Sequence, residues 1–225
     1  MYFCTMYSFT EENYLKAVYK LNERSSESVS TNAIAELLHT KAASVTDMLQ
    51  KLSTKKLLKY EKYKGVSLTD KGKRIALDIV RKHRLWEVFL HEKLGFGWDE
   101  VHDMAEQLEH IQSELLVNKL DDFLGNPTHD PHGDPIPTRQ GELKKSNLIL
   151  LNTVKPGPIV IMLGVVDHSP VFLKHLDKLG ITLGIEIEVL EVNDYDGSLH
   201  VQLNHKKQMD MSKDVARNIL VSEKV

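Results

Sequence analysis

Four residues between positions 102 and 110 have types and spacing suited to chemistry. His102, Glu106, Glu109 and His110 fall at i, i+4, i+7 and i+8, so on one continuous helix all four would project from a single stripe. Upstream, His83 and Glu87 repeat the i, i+4 spacing. Imidazole nitrogens and carboxylate oxygens converging from two helices suit a divalent first-row metal ion. One such pair is ordinary on a solvated helix face, but the same pattern on two neighbouring helices favours metal. A third set stands in Asn126-Pro-Thr-His-Asp-Pro-His-Gly-Asp-Pro-Ile-Pro, where Asp130 and His132, with His129 beside them, are either ligands or parts of a turn-rich connector.

The usual signatures of turnover are missing. There is no His-Glu-x-x-His pair, no Gly-x-Ser-x-Gly elbow and no Walker loop. Gln107 stands where the Glu-x-x-His element of a di-iron bundle would need a glutamate before His110. No residue is therefore assigned to catalysis, and no small-molecule substrate is expected. A helical metal-storage protein or metal-dependent enzyme is the competing reading; it would need an open coordination position and a substrate pocket.

Helices must position these groups, and the apolar periodicity supplies them. Thr10-Glu-Glu is expected to open a first helix carrying Tyr14, Leu15, Val18 and Tyr19. A short helix should run from Ser30-Thr31 to Leu38, and after a turn at His39-Thr40-Lys41 a second carries Val45, Met48, Leu49 and Leu52 inward. Alternation around Gly65 predicts a two-stranded hairpin. Thr69-Asp-Lys-Gly should start a long helix to about His91, and Trp98-Asp-Glu another to about Leu120, with Asp121–Phe123 as an extension. Residues 139–152 read as a linker. Beyond it, 159–166, 185–192 and 199–203 read as strands, with a hairpin turn around Gly197 and helices at Pro170–Leu179 and near Ser212–Leu220. Together they form a small barrel-like domain.

Helix, helix, turn, helix and hairpin is the layout of a winged helix-turn-helix, whose second helix of the pair enters the DNA major groove. That helix offers Lys41, Ala43, Ser44, Thr46, Asp47, Gln50 and Lys51, and the wing offers Lys59, Lys62 and Lys64 for base edges and phosphates. Asp47 fits a polyanion-facing surface if it accepts from a cytosine amino group or orients a neighbour. Charge agrees with this polarity. Residues 1–84 hold 16 Lys and Arg against 9 Asp and Glu, whereas 85–225 hold 13 against 23; a basic end on an acidic body suits a polyanionic partner. A winged helix that binds DNA or protein while its metal is purely structural is the alternative.

The remaining composition is that of an ordinary soluble chain, 41% hydrophobic and 27% charged. No apolar run approaches the roughly 18–20 residues of a membrane span, and the first residues lack the pattern of a signal peptide. Met6 is a second candidate start. The single cysteine, Cys4, cannot form an internal disulfide, so a cytoplasmic setting without membrane contact is expected.

The chain resembles the diphtheria-toxin-repressor family of metal-dependent regulators. Tyr14-Leu-Lys-Ala-Val-Tyr, Arg81-Lys-His-Arg-Leu-Trp-Glu, Glu100-Val-His-Asp-Met-Ala-Glu-Gln-Leu-Glu-His and the 126–137 loop carry the resemblance, in order. It implies a mainly α chain with a small β domain: a winged helix at 6–74, a helical metal-binding and dimerisation domain at 75–138, and an SH3-like (FeoA-like) domain at 153–225. It implies a homodimer that grips double-stranded operator DNA when metal is bound. One metal site would use Asn13, Glu106, Glu109 and His110. A second would use His83 with Glu87 and His102 in the iron-sensing pattern, or Glu87 with Asp130, His132 and Asp167 in the manganese-sensing one, with His168 a rival to Asp167. Glu106 stands where the iron branch has Cys, and Asn13 where that branch has Met and the simpler manganese branch has Asp. Carboxylate in place of thiolate favours Mn²⁺, with Fe²⁺ the alternative and Zn²⁺ or Co²⁺ substituting in vitro. On this pattern, mutual repulsion of Glu106 and Glu109 would free the first helix without metal, and Glu106→Ala would abolish metal-stimulated DNA binding.

Overall fold

The computed structural model describes residues 7–24, 28–61, 64–143 and 147–223. They form two compact units that do not follow chain order: the described parts of 1–86, 105–126 and 137–143, and those of 87–104, 127–136 and 144–225.

In the first unit, α1 (Phe9–Arg24), α2 (Thr31–Leu37) and α3 (Ala42–Thr54) precede an antiparallel hairpin of β1 (Leu58–Glu61) and β2 (Gly65–Leu68). Helix α1 starts earlier than the Thr10 expectation because Ser8 and Glu11 form a reciprocal cap: the Glu11 N–H donates to Ser8 Oγ and the Ser8 N–H to Glu11 Oε2. Ser30 caps α2 through the Ala33 N–H. Leu15, Val18, Ile34, Val45, Leu49, Leu52, Leu57 and Val66 are fully buried in one core. Each such side chain is worth about 1.5–3 kcal/mol removed from water, so apolar periodicity outweighs helix propensity in fixing these short elements. Gly65 turns the hairpin at φ +98, and a Cβ there would stand 2.9 Å from the Val29 carbonyl oxygen. The close approach lets Val29 bridge to Val66 beside the hairpin.

Helix α4 (Asp70–Leu94) contributes its first part to this unit and its last to the other. The single helix expected from Trp98 to Leu120 is two: α5 (Val101–Leu108) and α6 (Glu114–Phe123). The Ile111 N–H donates to the Leu108 carbonyl, closing α5, and Ser113 Oγ accepts from the Leu116 N–H to start α6. Apolar Ile111 and Leu115 continue the helical period across the break and conceal it. Leu115 in fact faces outward, 72% exposed.

The second unit holds a six-stranded antiparallel sheet in the order β3-β8-β4-β5-β6-β7. Its strands are β3 (Ile149–Leu150), β4 (Ile159–Val165), β5 (Glu186–Val192), β6 (Leu199–Leu203), β7 (Lys207–Met211) and β8 (Ile219–Glu223), with α7 (Pro170–Leu179) and α8 (Lys213–Ala216). Two expectations are corrected here. The closing helix is one turn, α8, because alternately buried Ile219 and Val221 continue as β8 between β3 and β4. The presumed linker ends inside the fold, in β3 and a 3-10 turn at Leu151–Thr153 whose Leu151 is fully buried. Trp98 joins the apolar core with Met162, Leu173, Leu176 and Ile187.

Candidate metal centre and nucleic-acid face

The last part of α4 brings Glu87, 2% exposed, into the second unit. Around it stand His102 from α5 and the loop residues Asp130 and His132. His102 Nδ1 lies 3.1 Å and His132 Nδ1 3.8 Å from Glu87 Oε1. Glu87, Asp130 and His132 are all buried, and each offers a ligand atom within 4.8 Å of the others.

The loop that presents them is held from three sides. Asp130 Oδ1 accepts the backbone N–H groups of His132, at 2.8 Å, and Asp134, at 3.0 Å. The Val165 N–H donates to the His132 carbonyl. Gly133, at φ +88, packs so closely on β4 that a Cβ would fall 1.9 Å from the Leu163 carbonyl oxygen. Gly133→Ala is therefore expected to cost at least about 1–3 kcal/mol from backbone strain alone, and to move His132. Urea unfolding with a near-wild-type midpoint would contradict this reading of the loop.

His132 Nε2 lies 2.7 Å from the Trp98 carbonyl oxygen. A carbonyl only accepts, so Nε2 carries hydrogen and Nδ1 is the nitrogen turned to the carboxylates. That Nδ1 is buried and has no hydrogen-bond partner among the described residues. Burial pushes the imidazole pKa down, but the neighbouring Glu87 and Asp130 charges, with the Trp98 carbonyl, outweigh it and raise it to about 9. A buried nitrogen aimed at two buried carboxylates is a donor set that a divalent cation fits.

Asp167 and His168, the alternatives that the resemblance gave, both lie outside the metal-capable groups among the described residues. Asp167 Oδ1 accepts from the Ser169 N–H at the start of α7. The His168 ring stacks on His132, with centroids 4.7 Å apart. Burial, helped by the His132 charge, pushes its pKa down to about 4, so a neutral ring covers the candidate ligand.

A second cluster lies wholly in the first unit. His83 Nδ1 is 2.6 Å from Glu109 Oε2, and Glu109 is fully buried. Lys16 Nζ, from α1, stands 2.7 Å from Glu106 Oε1 and 2.7 Å from the Glu109 carboxylate. Glu109 and His110 lie just past the end of α5, so the expected four-residue stripe is a helix turn followed by a bend. His110 Nδ1 meets Glu12 Oε2 at 2.6 Å, and Gln112 Nε2 donates to Glu12 Oε1. Asn13 was expected to reach this cluster; it is Glu12, one position earlier, that pairs with His110. Asn13 Oδ1 is buried with no hydrogen-bond partner among the described residues.

The face expected to meet DNA is open. Lys41, Ala43, Ser44, Asp47, Gln50 and Lys51 are exposed along α3, with Thr46 half-buried. A cleft of about 390 Å³ runs beside them, lined by Ser30, Thr31, Thr46, Tyr60 and Lys64. Two of these groups are partly committed: Thr46 Oγ1 donates to the Ala42 carbonyl, and Lys51 pairs with buried Glu11 at 3.0 Å. Lys64 is exposed and pairs with Glu61, three positions before it, at 2.8 Å. Lys62 lies outside the described residues.

Three family descriptions match in succession: an iron-dependent repressor N-terminal DNA-binding domain at 6–66, an iron-dependent repressor metal-binding and dimerisation domain at 69–138, and a FeoA domain at 149–223. A solved manganese-dependent transcriptional repressor, in complex with manganese, superposes with a TM-score of 0.88 at 34% identity, covering 95% of this chain and all of that one. The chain belongs to the diphtheria-toxin-repressor family of metal-dependent transcriptional regulators. The HTH-type regulator MntR of Oceanobacillus iheyensis is 39% identical over 113 residues, 50% of this chain and 76% of its own length. The iron-dependent repressor IdeR of Mycobacterium tuberculosis is 36% identical over 128 residues, 57% of this chain and 55% of its own length, so the match spans about half of that relative. Members of the family are transcriptional regulators. The fold agrees with it throughout: winged helix, helical second segment and C-terminal SH3-like sheet. No helix among the described residues is long and apolar enough to cross a membrane.

Proposed function

We propose that this chain is a transcriptional repressor whose grip on operator DNA requires a divalent metal ion held by Glu87, Asp130 and His132, with His102 beside them. The observation that carries this reading is His132 Nδ1, buried without a hydrogen-bond partner and turned toward two buried carboxylates. When bound, a divalent cation supplies positive charge to a space that Glu87 and Asp130 otherwise share at mutual cost. His132 gives up its Nδ1 proton there, the Trp98 carbonyl keeps Nε2–H in place, and Asp130 holds the loop through two backbone N–H groups. Carboxylate and imidazole ligation without thiolate favours Mn²⁺, with Fe²⁺ next and Zn²⁺ or Co²⁺ as substitutes in vitro. Intrinsic affinity follows another order, so geometry and cellular supply select the ion.

On the DNA side, the exposed row from Lys41 to Gln50 reads the major groove and Lys64 neutralises phosphate. The protein acts as a cytoplasmic homodimer and performs no catalysis. Leu115, Leu116 and Phe123 expose apolar surface along α6, which supports pairing through the segment whose family description includes dimerisation. The domain limits that fit this reading are a DNA-binding domain at 6–74, a metal-binding and dimerisation domain at 75–138 and a C-terminal domain from 149, with 139–148 between the last two.

The test is binding of labelled genomic fragments by the full chain, stripped of metal and then given Mn²⁺, Fe²⁺ or Zn²⁺ at fixed salt. Tight binding only with metal is expected; equal binding throughout would leave a winged helix with a structural metal. Lys64→Ala is expected to weaken binding to specific and random DNA alike and to flatten the slope of log K against log salt by about 1. An unchanged slope would remove Lys64 from the phosphate contacts.

A further inference from the structure

The first-unit cluster contains a cation of its own. Lys16 is only 5% exposed, yet its ammonium lies 2.7 Å from Glu106 Oε1 and 2.7 Å from the fully buried Glu109 carboxylate. A buried ammonium persists only when paired, and so does a buried carboxylate. Here each supplies the other's partner, while His83 Nδ1 takes a further position on Glu109 at 2.6 Å and Glu12 holds His110 at 2.6 Å. His83, Glu106 and Glu109 offer ligand atoms within 4.8 Å of one another, but a metal ion drawn between the two carboxylates would have to displace the ammonium that lies 2.7 Å from each, or face that like charge at close range. The neighbouring position 13 is Asn, which brings no charge to draw a second cation in. The α1 cluster thus has the oxygens of a metal site and a resident lysine that satisfies them.

We propose that Lys16 takes the place of a metal ion between Glu106 and Glu109. Its ammonium ties α1 to the end of α5 and the residue after it without metal, and only one metal ion per protomer, in the second unit, switches the protein. This rests on the proposed function in placing that ion at Glu87, Asp130 and His132. It also reverses the repulsion expected from Glu106 and Glu109, since both face Lys16 whether or not metal is present. Metal-stimulated DNA binding is then insensitive to Glu106→Ala.

The test counts Mn²⁺ retained per protomer by the full chain after equilibrium dialysis. Wild type and Lys16→Arg are each expected to retain one ion, Lys16→Met two, and Asp130→Asn/His132→Ala none. Lys16→Met added to that double variant should restore one. A count unchanged by Lys16→Met in both backgrounds, or two ions in wild type, overturns the role of Lys16. An ion retained by Asp130→Asn/His132→Ala overturns the second-unit location instead; a further ion gained there on Lys16→Met still upholds Lys16. If Lys16→Met is too unstable for prolonged dialysis, thermal unfolding supplies the readout. Mn²⁺ must then raise its Tm more than it raises that of wild type, and an equal or smaller rise overturns the proposal.

Discussion

Asp130→Asn/His132→Ala protein is expected to bind operator DNA equally with and without Mn²⁺, at the weak level of metal-free wild type. Metal can shift a two-state equilibrium only by its difference in affinity for the two states. Couplings of this kind run at about 1–3 kcal/mol, or roughly 5–150-fold in affinity, and that whole factor should vanish. The buried imidazole supplies the nitrogen and Asp130 both a carboxylate and the hydrogen bonds that shape the loop. Losing both removes two of the three buried donors of this group. Titrating Mn²⁺ into a fluorescence-anisotropy assay at fixed salt measures the factor. Wild-type stimulation in the double variant would place the activating ion elsewhere.

The second large effect concerns stability. Glu109→Ala is expected to cost the metal-free protein about 3–5 kcal/mol, because it removes the fully buried carboxylate that faces both the Lys16 ammonium and His83 Nδ1, leaving Lys16 beside the partly exposed Glu106. Glu106→Ala removes a carboxylate whose side chain is 40% exposed; solvent screening reduces the expected loss to about 0–1 kcal/mol. Urea unfolding of both variants in chelator would show the contrast, and equal midpoints would mean that Lys16 is not anchored by Glu109. Acid should act on the same pair. Burial pushes the Glu109 pKa up, but the His83 hydrogen bond and the Lys16 charge outweigh it and hold it below the usual carboxylate range. The pair's contribution is therefore present above the unfolded carboxylate pKa of about 4.3 and is lost as pH falls through the lower folded value.

Much of this was legible in the residues, for reasons that differ by element. The winged helix was readable because Leu15, Ile34, Val45, Leu49 and Leu52 recur with helical period and are all fully buried. Glu87, Asp130 and His132 were readable as donor types, and the loop bearing two of them has a glycine where only close packing on β4 explains it. The break between α5 and α6 was hidden, since Ile111 and Leu115 keep the period while a hydroxyl cap at Ser113 restarts the helix. Strand β7 was hidden because Lys207–Met211 is a polar edge strand, joined to β6 by Asn204 and His205 at positive φ without a glycine. Lys16 was hidden for a chemical reason. A lysine near two glutamates in the fold but some 90 positions away in sequence, with |i−j| of 90 and 93, leaves no local pattern. The resemblance pointed to the carboxylates and not to the cation between them.

The most direct test of the central claim is binding of the full, metal-stripped chain to genomic fragments, measured with chelator and then with Mn²⁺ at one salt concentration. The account predicts binding barely above that to random DNA in chelator, and tight, sequence-selective binding once Mn²⁺ is restored. Equally tight binding in chelator would contradict it, and would make Glu87, Asp130 and His132 structural residues rather than the switch.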